Sequence, residues 1–442
     1  MSGDPKDDYF SDGLSEELLN TLAAVQGLKV AARTSSFSFR GKDEAVDDIA
    51  RKLNIAALLE GSVRHDKSHV RIATELIDTA TGFQLWSHTY DRDLKDVLAL
   101  QTDIATAVAA ALKVTLLETD AGSIEVGGTD NAKAFDAYLR AEQLARLPLS
   151  AKSSADTLSA YDEAIALDPR YANAYLGRGN ARIAYAFNGE SNPEEEHRET
   201  KLGLQDARKA AELAPALGAA HAVIGYALNG ELNFIAAAPE FEKGLDLSPG
   251  DARVHTHSAY FLAQIGRFEE AIARARHAVE LDPLNWKSHA LLAYAYFWAR
   301  RYPESVEAGR RALALDPSRA GTLGWQGMAY AGLGNYEAAR ASCDTPKPDW
   351  VSLTCLAIVY HKLGRDSDAQ ATFAQMKQQY GSDTYYQDGE IYAQWGDVPH
   401  ALERAVAAVD PGLVTTKVDP LLDPVRGEPR FKAMLAHLAL PD

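Results

Sequence analysis

The sequence predicts a small α+β N-terminal domain followed by an all-α superhelical stack of helical hairpins. Three observations predict it. Pro215, Pro249, Pro283 and Pro317 stand 34 residues apart. Each interval holds two amphipathic helical stretches separated by a turn. Before about Thr129 that period disappears, and short apolar or alternating runs of strand type replace it.

In the N-terminal part, Leu14 to Ala24 has helical spacing, with Ser11 or Asp12 as a cap and Glu16 and Glu17 favourable in the first turn. Leu28 to Ala32 and Ala56 to Val63 read as short strands. His69 to Asp78 alternates, with Val70, Ile72, Thr74 and Leu76 on one face, and Phe83 to Tyr90 follows a Thr81-Gly82 turn. A helix from about Leu94 to Leu117 closes the unit. The order is helix, strand, helix, three strands in meander, helix, which makes an α+β domain over 1–118. A linker is expected over 119–133, centred on Gly122 to Asp130.

From 134 to 424 the pattern predicts about seven to eight helical hairpins, and 425–442 reads as a C-terminal capping helix. YDEAIALDP, FEKGLDLSP, ARHAVELDP and GRRALALDP close four periods, and the proline ends each second helix because it excludes helical geometry before it and donates no amide hydrogen bond. Small residues recur where helices must approach: Gly225, Ala237 and Gly244, then Ala259, Ala271 and Ala278. The interval from Pro169 to Pro215 is 46 residues, 12 beyond one period, which places a polar surface insertion near 189–200.

Composition sets the function classes. Hydrophobic residues make up 46% and charged residues 24%, ordinary for a chain with a sizeable core. Lysine plus arginine number 45 against 62 acidic residues, a net charge of −17 that lacks the footprint of a nucleic-acid binder. No segment has the roughly 18 to 20 apolar residues of a membrane span. Cys343 and Cys355 read as two small buried thiols, with one bridge between them as the alternative.

The chain resembles the tetratricopeptide repeat family. Gly225, Ala237, Phe241 and Pro249 fall in its register, as do Gly327, Tyr330, Gly334 and Ala339, with weaker units from Trp350 and Ser382. The first part resembles the amino-terminal domain of TolB, as found joined to such repeats in bacterial signalling proteins. The residues are Ser2-Gly3-Asp4-Pro5, Tyr9 to Leu14, Arg33 to Phe37, Leu59 to Arg64 and Leu85 to Arg92. In that family a strand precedes the Ser-Gly-Asp-Pro motif. Its absence here leaves an open sheet edge and self-association through it as an alternative. Such modules accompany class III adenylate cyclase or winged-helix domains. The resemblance implies a periplasmic site if a span lies upstream and a cytoplasmic one if Met1 is the true start.

Motifs for catalysis, nucleotide or cofactor binding are not found. His65 and His69 flank a hairpin turn, His255 and His257 sit two apart on a helix, and no metal site is expected. The enzymatic alternative is a weakly marked active site in the α+β domain around Arg33, Glu60, Arg64 and His88, for which the repeats would dock a substrate. The repeat resemblance instead implies a concave groove for a polypeptide, lined by Arg253, His257, Tyr260, Lys287, Tyr294, Phe297, Trp298 and Trp325. The family's carboxylate clamp is disfavoured, because its places hold Leu176, Asn180, Thr256, Tyr260, Ala290 and Tyr294. The expected function is a non-catalytic interaction module, with a self-assembling scaffold as the alternative.

Overall fold

The computed structural model describes residues 8–23, 25, 28–65, 69–93, 97–112, 127–188, 192–407 and 415–437. Helices α1 (Asp8–Ala23), α2 (Arg33–Phe37) and α3 (Val46–Leu53) precede strands β1 (Ala57–His65), β2 (His69–Asp78) and β3 (Gln84–Asp93), and α4 (Val97–Ala111) follows. The strands form an antiparallel sheet in the order β1-β2-β3. Alternation along β2 sends Val70, Ile72, Thr74 and Leu76 into the core, as their spacing requires. The Ser-Gly-Asp-Pro motif and most of the expected linker lie outside the described residues.

Two local expectations are corrected. Leu28 to Ala32 forms no strand: the Ala32 amide donates to the Leu281 carbonyl at 2.7 Å, and the Ser35 amide and hydroxyl donate to Asp282 Oδ1 at 3.0 and 2.6 Å. The Asp-Pro turn of a repeat supplies the hydrogen bonds that a neighbouring strand would have given. Ser11 and Asp12 do not cap α1, which already runs from Asp8; Asp12 pairs with Arg40 at 2.7 Å.

Sixteen helices follow among the described residues. They are α5 (Ala132–Leu144), α6 (Ala151–Leu167), α7 (Ala172–Asn188), α8 (Pro193–Leu213), α9 (Gly218–Gly230), α10 (Phe234–Leu247), α11 (Ala252–Ile265) and α12 (Phe268–Leu281), then α13 (Trp286–Trp298), α14 (Tyr302–Leu315), α15 (Ala320–Gly332), α16 (Tyr336–Cys343), α17 (Trp350–Lys362), α18 (Asp366–Tyr380), α19 (Tyr385–Trp395) and α20 (Val398–Ala407). A final helix, α21 (Pro429–His437), lies in the expected cap. Short polar side chains start several of them: Asn131, Asn285, Asn335 and Asp349 each accept from amides of the first turn. The acidic stretch after Asn188 is drawn into α8 from Pro193 onward, capped by Asn192, and Glu199 is buried against Arg182 at 2.7 Å.

The chain divides into two compact units. One holds Met1–Ala227, Pro239–Val254 and Leu281–Pro283; the other holds Leu228–Ala238, His255–Glu280 and Leu284–Asp442. In the first, a single core joins α1, the sheet and α4 to the opening repeats, from Phe10 and Leu14 through Ile72 and Ile104 to Phe135, Tyr161 and Tyr171. In the second, a separate cluster of Ala401, Leu422, Phe431 and Met434 seats α21. Cys343 and Cys355 are bridged, with their Cα atoms 6.2 Å apart, so the reading of two free thiols is corrected. Gly327 packs against both sulfurs, and a Cβ there would strike Cys343 Sγ.

The turn inside a hairpin demands a left-handed residue. Gly266, Gly334, Gly364 and Gly396 supply it at φ of +92°, +74°, +72° and +83°, but Leu232 and Arg300 occupy the same kind of turn at +58° and +60°. A side chain there costs about 1–2 kcal/mol relative to glycine's freedom. Leu232→Gly is therefore expected to raise stability by about 0.5–1 kcal/mol, read as a higher thermal midpoint, and an unchanged or lower midpoint would count against strain at this turn.

Candidate functional site

In the second unit, α13 and its neighbours gather the predicted aromatics. Tyr260 lies 5.9 Å from Trp298 between ring centroids, Tyr294 lies 6.3 Å from Trp298 and 5.4 Å from Trp325, and Phe297 meets Trp325 at 5.4 Å. These offsets and tilts are the favourable ones for aromatic pairs. The spacing follows from helical pitch, since Tyr294, Phe297 and Trp298 stand three and four residues apart on α13.

The cluster has a depth. Phe297 and Trp298 are only 1% and 3% exposed, so they support the surface from beneath and do not line it. That corrects their assignment to a groove wall: both are enclosed by the rings above them. Tyr260, Tyr294 and Trp325 are half-buried and His257 likewise, while Lys287 is exposed. Burial pushes the Tyr294 hydroxyl up to about 12, although it is hydrogen-bonded to Thr322. At the start of α13 Trp286 meets two cations, Lys287 Nζ at 5.9 Å and the Arg319 guanidinium at 4.4 Å from its ring. The result is a half-open aromatic face with positive charge at one end.

Arg253, the remaining predicted residue, belongs to the first unit and serves a different cluster. It pairs with Asp251 at 3.1 Å, and its charge acts on Glu17 and Glu142. There α1 lies against α5: Tyr9 donates to Asp136 at 2.5 Å, Tyr138 to Glu17 at 3.1 Å, and Tyr161 to Glu142 at 2.5 Å. Arg33 and Arg146 both reach Glu16. Desolvation, then the carboxylates of Glu142 and Glu16, push Glu17 up to about 7. Glu142 is raised by the same burial and by Glu16.

Sequence reasoning did not find this cluster, because its members come from α1, α2, α5, α6 and the start of α11. A second acidic pair escaped for the same reason. Burial and the neighbouring Asp419 carboxylate hold Glu390 protonated well above the usual range, with Tyr386 donating to Asp419 at 2.7 Å. The four residues of the enzymatic alternative do not share one face of the sheet domain. Arg33 is engaged by Glu16, Glu60 and Arg64 lie on the outer face of the sheet, and His88 lies on the inner face, with ring centroids 6.4 Å from Trp86 and 4.5 Å from Tyr90. His69 pairs with Asp93 at 3.1 Å, and no cluster of metal-ligating side chains occurs among the described residues. Nor is any described helix long and apolar enough to cross a membrane.

Comparison with known proteins places one repeat directly: residues 252–283 match the tetratricopeptide repeat family. A 175-residue stretch is 37% identical to a Rhizobium meliloti (strain 1021) protein named "Putative adenylate cyclase 3". The match covers 40% of this chain and 30% of that relative's length. Among solved structures, Pseudomonas aeruginosa pilF is 21% identical with a TM-score of 0.39, over 48% of this chain and 93% of the other. A thermophilic tetratricopeptide protein from Thermus thermophilus is 21% identical with a TM-score of 0.35, over 41% and 97%.

Two outcomes follow from burial and charge. Trp298→Ala should cost about 3–5 kcal/mol and lower the thermal midpoint sharply, whereas Lys287→Ala should stay within about 0.5 kcal/mol. Equal midpoints would contradict the depth assigned to α13. Because Glu17 binds its proton more tightly in the folded state, its contribution is present at low pH and fades as pH rises from about 4.5 to about 7. Glu17→Gln is expected to flatten that decline by about 1–3 kcal/mol, measured as urea unfolding at pH 5 and pH 7.5; parallel curves for both proteins would refute it.

Proposed function

We propose that this chain is a non-catalytic interaction module of a bacterial signalling protein, and that it holds a polypeptide against the aromatic face of α13. The observation that carries this reading is the half-open cluster of Tyr260, Tyr294 and Trp325 on buried Phe297 and Trp298, with Lys287 exposed at the start of the same helix. Large rigid rings supported from below give contact area at little entropic cost, and such side chains dominate binding energy at protein interfaces. The repeat matched over 252–283 is of a family that serves this purpose.

The cyclase name of the Rhizobium relative supports attachment to a signalling enzyme, with the resemblance of residues 1–118 to the amino-terminal domain of TolB as the second support. The buried carboxyls do not argue for catalysis: Glu17 and Glu142 are engaged by tyrosines of their own chain, and Asp419 by Tyr386.

The test is selection of peptides from a random displayed library on the immobilised chain, followed by affinity measurement on Tyr260→Ala and Lys287→Glu variants. Peptides that bind the native chain should bind each folded variant about tenfold more weakly. If no peptide is enriched, or if enriched peptides bind the variants equally well, the aromatic face is not the working surface.

A further inference from the structure

Strand β1 is one edge of the sheet, and among the described residues the backbone of Ala57 to Arg64 is hydrogen-bonded to β2 alone. The strand ALLEGSVRH holds no proline, no lysine and no bulge, and its charged side chains are Glu60 and Arg64. Its outward charges are poorly placed for the chain's own sheet. Glu60 stands opposite Glu75, and Arg64 stands opposite Arg71. Like charges directly opposite are destabilising, and neither Glu60 nor Arg64 forms an ion pair among the described residues.

The same charges are complementary under a twofold axis. Glu60 and Arg64 lie two residues to either side of Ser62, on one face of the strand. An antiparallel pairing of β1 with a second β1, centred on Ser62, sets Glu60 against Arg64 of the partner subunit and repeats the contact by symmetry. We propose that two copies of this chain pair in this way, joining their sheets into one. β3, the other edge, does not offer this. Its charges, Asp91, Arg92 and Asp93, crowd one end, and twofold pairing about its middle would meet uncharged Phe83, Gln84 and Leu85. The β1 pairing uses no residue of the aromatic cluster, so its fate and that of the peptide surface are decided separately.

The test is charge reversal, read by size-exclusion chromatography with light scattering across a concentration series. Glu60→Arg brings arginine against Arg64 of the partner subunit, and Arg64→Glu brings glutamate against Glu60 of the partner subunit. Each single variant should dissociate about tenfold more readily than the native dimer. Within one chain, however, each reversal replaces a like pair with an opposite one, so the dilute monomers should melt no lower than the native chain. The double variant should dimerise again, and a mixture of the two single variants should form a heterodimer. A native chain that stays monomeric throughout the series overturns the proposal. So do single variants that dimerise as before, or a double variant and a mixture that stay monomeric.

Discussion

The close approach of helices at positions without side-chain bulk is what this structure rests on. A single helical hairpin cannot bury its apolar stripe, so each must pack on the next. Ala259 and Ala275 are fully buried in one such contact with Leu291, and Gly225 meets the ring of Phe241 so tightly that a Cβ would lie 3.1 Å from it. Backbones brought together in this way leave large residues only certain places to go. Phe241 and Phe297 fill the gaps inside, and residues such as Tyr260 and Trp325 remain at the surface with rings beneath them.

The same constraint explains why the first unit is continuous. Helix α1 joins the opening repeats through Leu139, which presses on Gly13, and through tyrosines whose hydroxyls reach the acids of α1 and α5. Burial there raises the carboxyls of Glu17 and Glu142 above the ordinary carboxylate range, so the contact carries a dependence on pH that an apolar interface would not have. Arg253 offsets that burial at Glu17, and Arg146 and Arg253 offset it at Glu142, without cancelling it, since both carboxyls remain raised.

What the sequence revealed and what it concealed divide along range. The 34-residue period and the alternation of Val70, Ile72, Thr74 and Leu76 are local patterns, and each appears in the structure. Leu28 to Ala32 misled because an extended apolar run looks the same whether a strand or the turn at Asp282 satisfies its backbone. For α13, helical spacing marks the aromatic stripe but not its depth. Trp298 and Tyr294 share that stripe, and only the packing of α11 and α15 decides which is covered. The Glu17 cluster had no local signal at all.

The bridge between Cys343 and Cys355 gains a meaning from the way repeat arrays come apart. Such arrays loosen from their ends, one hairpin at a time, because each hairpin is held mainly by its neighbours. The bridge ties the end of α16 to α17, closing a short loop across 12 residues of sequence. Fraying that begins at α21 and runs back through α20, α19 and α18 therefore reaches a segment that is cross-linked even when unfolded. Oxidised, loosening that segment frees less chain entropy than when the thiols are reduced, so the bridge resists the spread of fraying into α16 and α15.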